Sequence, residues 1–149
     1  MRLTVATDYA MRMVLHLSEL PFGSRITGAE LAKAQKIPKR FLLKIMRELL
    51  AAHIIQSYRG VAGGFSLFRK PKDITLLDVV EAVEGPLFLK DCLIDAEKCT
   101  KQTGGVCALH QTFNVLQANL ADSLRAVNFE MVVQREAQII QQAGQRKNK

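Results

Sequence analysis

The chain has 149 residues, 48% of them hydrophobic, with a net charge of +7 and three cysteines. That length supports one buried core and an accessory element but not two large domains. Three thiols cannot pair fully within one chain, which argues against a secreted disulfide scaffold, and no apolar run reaches the roughly 18 residues of a membrane span.

Asp8, Arg12 and Glu19 interrupt the apolar start, so no signal peptide is expected and the protein reads as soluble and cytoplasmic. The charge is unevenly spread. Residues 1–70 hold twelve Lys and Arg against four Asp and Glu, and residues 71–149 hold nine against ten. The first half is built for a polyanion.

Thr7 is expected to cap a first helix that runs to about Leu20 and ends in the turn from Pro21 to Gly23. Thr27 and Glu30 then form a T-x-x-E capping box, opening a short helix to about Ala34. After a break at Gln35 to Ile37, Pro38 suits the first position of a third helix reaching about His53. At 100° per residue Arg40, Lys44 and Arg47 fall within about 60° of one another, opposite Leu42, Ile45, Met46 and Leu49. A basic stripe therefore faces outward from an anchored helix.

Ile54 to Tyr58 and Phe65 to Phe68 read as strands of a hairpin, or wing, reversed through the glycines of Arg59-Gly-Val-Ala-Gly-Gly64. Thr75 and Asp78 cap a further helix that stops at Gly85-Pro86. Residues 88–109 read as loop. Phe113, Leu116, Leu120, Leu124 and Val127 then mark a long helix with an apolar seam that needs a partner. A shorter segment with Phe129, Val132 and Val133 and a frayed tail follow.

The fold class is thus mainly α with a small β-hairpin wing: a winged helix-turn-helix plus a long helix. Four regions are expected: 1–87 for DNA binding, 88–109 as the cysteine segment, 110–141 as a helical dimerisation region and 142–149 as a flexible tail. The third helix has the width of a major groove, with Lys39 and Arg40 at the end where base contacts fall. Arg59 on the wing suits the negative potential of a minor groove. Thr27, Lys39, Arg40, Lys44, Arg47, Tyr58, Arg59 and Gly60 are the candidate contacts to double-stranded DNA. Aromatic platforms for unpaired bases are missing, which disfavours RNA.

All three cysteines lie in one stretch of nineteen residues, spaced C-x6-C-x7-C-x2-H through Cys92, Cys99, Cys107 and His110. Soft thiolates with an imidazole suit an iron-sulfur cluster or zinc. Structural zinc sites favour tight C-x2-C knuckles, so the longer gaps favour a larger object. A zinc or direct thiol switch is the alternative. A thiol enzyme using Cys107 with His110 is remote, because no oxyanion donor or orienting group accompanies the pair, and no enzyme activity is expected.

Four segments then carry a resemblance: the start MRLT with TDYA, the wing SYRGVAGGFSL, the run DITLLDVVEAVEGPL, and the cysteines ending in C-x2-H. Together they resemble the bacterial winged-helix regulator family of IscR, NsrR, RirA and CymR, over nearly the whole chain. The resemblance implies a homodimer paired through the long helix, a near-palindromic operator and an iron-sulfur cluster. It also implies two candidates for a fourth ligand: His110, as in members holding a 2Fe-2S cluster, or Asp8 from the other subunit, as in members holding a 4Fe-4S cluster. The gaps of six and seven are longer than in either group, which leaves both cluster types open.

Overall fold

In a computed structural model that describes residues 3–99 and 107–147, three helices come first: α1 (Val5–Glu19), α2 (Gly28–Gln35) and α3 (Lys39–Ala51). Strands β1 (Ile55–Tyr58) and β2 (Gly64–Leu67) form the hairpin, and α4 (Leu76–Glu84), α5 (Ala108–Arg125) and α6 (Phe129–Lys147) complete the described residues. This is the mainly helical winged architecture read from the sequence.

Local chemistry sets the element ends. The Thr27 hydroxyl accepts from the Glu30 amide at 3.2 Å while the Glu30 carboxylate accepts from the Thr27 amide at 2.9 Å, and Thr75 with Asp78 repeats the device on α4. Three boundaries differ from expectation. Thr4, not Thr7, caps α1, accepting from the Thr7 amide at 3.3 Å. Thr7 is fully buried one turn in, and its hydroxyl donates to Glu84 across the fold. Pro38 is the cap of α3 rather than its first residue, and α3 ends at Ala51, leaving His53 left-handed (φ 52°) with its ring 5.6 Å from Phe68.

The core sits where α1, α2, α3 and the wing meet. Met13, Val14, Leu31, Ile45, Leu49 and Ile54 are completely buried there, with α4 closing one side through Val79. Truncating any one large member to Ala costs about 2–5 kcal/mol. A second, smaller cluster of Leu77, Val80 and Leu87 receives the half-buried Leu120, Ala121 and Leu124 of α5.

The C-terminal elements depart most from the sequence reading. Instead of a short segment and a tail, α6 runs for 19 residues and continues through 142–147. Its start is fastened: Phe129 is 1% exposed, its amide donates to the Ile74 carbonyl at 3.0 Å, and the Leu76 amide donates to Val127 at 2.9 Å. The cysteine segment holds two 3-10 turns, Asp91–Leu93 and Ala96–Lys98, while residues 100–106 lie outside the described residues. No described helix is long and apolar enough to cross a membrane.

Candidate nucleic-acid interface and metal centre

Helix α3 presents its cations as its periodicity requires. Leu42, Ile45, Met46 and Leu49 are buried, which leaves Lys39, Arg40, Lys44 and Arg47 exposed on the opposite face. Lys44 is shared with an acid: its Nζ lies 3.7 Å from Glu48. The turn before α3 is made by Lys36 in a left-handed conformation (φ 53°), whose amide caps carbonyls of Ala32 and Lys33. Thr27 is exposed at the start of α2, its hydroxyl held by Glu30 at 2.7 Å. Hydrogen bonds from the Thr27 side chain and backbone hold the Glu30 carboxyl below its ordinary value.

The wing pairs Ile55 with Leu67 and Tyr58 with Gly64, antiparallel, and Ile26 adds one bridge to Phe65. Arg59, Gly60 and Val61 form its exposed tip, with Gly60 at φ 95°. At Gly64 a Cβ would sit 2.8 Å from the Ile26 carbonyl oxygen, so only glycine lets the bridge close. Sequence reasoning missed Arg25. Its guanidinium lies 3.7 Å from the centre of the Tyr58 ring and donates to the Ala62 carbonyl at 3.3 Å, bracing both ends of the wing loop. One face of the ring of Tyr58, a candidate DNA contact, is thus covered by an arginine. The two residues are 33 apart, and no local signal pairs them.

The metal candidates are spread along the chain. Cys92 lies in the first 3-10 turn, Cys99 just after the second and Cys107 at the cap position of α5, all half-buried, with His110 in the first turn of α5. Among the described residues no three or more His, Cys, Asp or Glu side chains converge as a cation site. Asp8 stands apart in the first turn of α1, 3.5 Å from Arg12, and Arg12 also donates to the Gln35 carbonyl at the end of α2. At the end of α4, facing the start of α1, burial works to raise the Glu84 carboxyl, but hydrogen bonds from Thr7 and Thr4 and the charge of Lys44 outweigh it and hold the group below its ordinary value.

Helix α5 divides the expected seam. Phe113, Leu120 and Leu124 are half-buried against the chain itself, with Lys90 over the Phe113 ring at 5.0 Å and the Leu89 amide donating to Gln117 at 2.9 Å. Leu109, Val115 and Leu116 are 60%, 58% and 49% exposed, and no residue of α5 is buried. An 18-residue helix in that condition presents an apolar face to something else.

A family profile described as Rrf2, iron-dependent transcriptional regulator, matches residues 3–135. The chain belongs to the Rrf2 family. It is therefore a helix-turn-helix transcription regulator, which implies DNA binding, and the Rrf2 family is one of regulators rather than enzymes. A proposed HTH-type transcriptional regulator of Aquifex aeolicus (strain VF5) is 31% identical over 104 residues, covering 70% of this chain and 72% of that protein. Among solved structures, T. potens IscR matches with a TM-score of 0.70 at 18% identity, over 91% of this chain and 88% of its own. CymR, the global cysteine regulator of B. subtilis, matches with a TM-score of 0.66 at 16% identity, over 91% and 98%. At those identities the likeness is one of fold. The Rrf2 family includes iron-dependent regulators, which bears on the cysteine segment without assigning it a cluster.

Proposed function

We propose that this Rrf2 regulator binds operator DNA as a homodimer through α3 and the wing, and senses iron, redox state or nitric oxide through an iron-sulfur cluster held by Cys92, Cys99 and Cys107. The observation that carries the DNA contacts is the exposed face of Lys39, Arg40, Lys44 and Arg47 beside a braced wing that presents Arg59. Lys39 and Arg40 open α3 and face the bases; Arg47, Arg59 and Thr27 hold phosphates or the minor groove. A salt-dependent shift assay tests this. Arg59→Ala lowers affinity and reduces the salt slope by about one, because one phosphate-held cation is gone. An unchanged slope rejects the wing contact.

The exposed Leu109, Val115 and Leu116 support pairing of α5 with its twin, over a shorter stretch than the seam from Phe113 to Val127. The donor chemistry of the cysteine segment fits an iron-sulfur cluster: three half-buried thiols, with His110 one helical turn beyond Cys107 or Asp8 from the other subunit as fourth ligand. Bound there, a cluster supplies a centre that responds to iron supply, oxidants and nitric oxide. Cys107 and His110 stand at the start of α5, where a helix terminus favours negative ligands, and Asp8 stands beside the Arg12 link to α2.

Purification without oxygen, followed by iron and sulfide analysis and spectroscopy of Asp8→Ala and His110→Ala, tests the cluster and its fourth ligand. The ligand variant loses or alters the cluster and the other keeps it. A wild-type protein without iron or sulfide rejects the cluster. A zinc or direct thiol switch on the same cysteines is the second reading, and zinc in place of iron and sulfide in that measurement would support it.

A further inference from the structure

One side chain on the exposed face of α3 carries no charge. Leu43 is 69% exposed, and among the described residues of α3 it is the only large apolar side chain so placed. It lies three residues after Arg40 and four before Arg47, hence at the edge of the same face, on the side that lines a cleft with α2. An isolated surface leucine is ordinary. This one also forms part of an apolar cleft of about 520 Å³ between α2 and α3, lined by Ala29, Ala32, Leu42 and Met46 and bordered by Lys33 and Lys39. The α2 wall is made of small residues, so the apolar surface around Leu43 stays open.

We propose that Leu43 reads thymine in the major groove through its C5-methyl group, with Ala29 and Ala32 forming the dry wall beside it. The inference rests on the proposal that α3 enters DNA. The cations around Leu43 fit a polyanion, and leucine can bond neither a phosphate nor a base heteroatom. What it can do is exclude water from the apolar group on the major-groove edge, and that group is the thymine methyl. Cations on both sides hold the helix at the depth where the contact is made, and the leucine then selects the base.

The test begins with sequences enriched by the wild-type protein from a random duplex library. Each thymine of the enriched site is replaced in turn by deoxyuridine, which removes only the methyl group. At one thymine position, deoxyuridine weakens wild-type binding about fourfold per methyl removed, the value of one buried methyl-sized group. Leu43→Ala binds the unmodified duplex correspondingly weaker and is indifferent to deoxyuridine there, while Leu43→Met, which keeps an apolar reach, still discriminates. Wild-type affinity unchanged by every deoxyuridine, or full discrimination retained by Leu43→Ala, overturns the inference while leaving DNA binding intact. A library that yields no enriched sequence instead overturns the reading of α3 as a base-reading helix, and the inference falls with it.

Discussion

Residues 3–87 close on themselves, whereas the described residues after 87 do not. Every buried core residue but Phe129 lies at or before Leu87, and α5, with 18 residues, buries none. The first region buries nearly all of the core and carries the excess of positive charge; the second buries Phe129 and carries every cysteine of the chain. The DNA-binding head thus holds nearly all of the core, and α6 enters it through Phe129.

The sharpest way to break that comparison is at its exception. Phe129→Ala empties a site bounded by α1 and the Pro71–Ile74 segment, and a loss of about 3–5 kcal/mol in denaturant unfolding is expected. A loss under about 1 kcal/mol would mean that α6 is not part of the head. Next comes Leu116→Glu, on the exposed strip of α5. If α5 pairs with its twin as proposed, it raises the dimer dissociation constant at least tenfold in sedimentation, equivalent to about 1.4 kcal/mol, with helix content retained. An unchanged dimer would place the interface elsewhere.

Thr75→Ala removes a capping box inside the head and costs about 1 kcal/mol of stability, measured in the same unfolding assay. The smallest effect is acid sensitivity. Glu84 is held below its ordinary value of 4.5, so its contribution is complete above that value and is lost as pH falls through the lower folded value. Glu84→Gln therefore flattens the stability curve on the acid side only, and an equal slope in both proteins would remove the Thr7–Glu84 link as its source.

How much of this was legible follows from the range of each interaction. Thr27 with Glu30 and Thr75 with Asp78 are pairs three residues apart, so the sequence displays both partners at once. Thr7 looked like a cap because Thr, too, is a capping residue; its hydroxyl is taken instead by Glu84, 77 positions away. The heptad-like spacing of α5 announced an apolar face but not its division, because Phe113, Leu120 and Leu124 are claimed by α4 and the loop before α5. The exposed cations of α3 were fully legible, since amphipathic periodicity sorts them, whereas Arg25 was not, since its partner lies on another element. The metal candidates were visible as a composition, and a composition does not state where thiols point.

The Arg25–Tyr58 stack gives the molecule a built-in optical probe. The chain has two tyrosines and no tryptophan. Tyr58 lies under Arg25 on the wing, and Tyr9 lies edge-on to Phe41, 5.4 Å away, at the α1–α3 junction, with the Arg12 guanidinium 5.4 Å from its ring centre. Tyrosine emission from the unlabelled protein, compared between wild type and Tyr9→Phe, therefore separates what the wing does on meeting a duplex from what the helical head does.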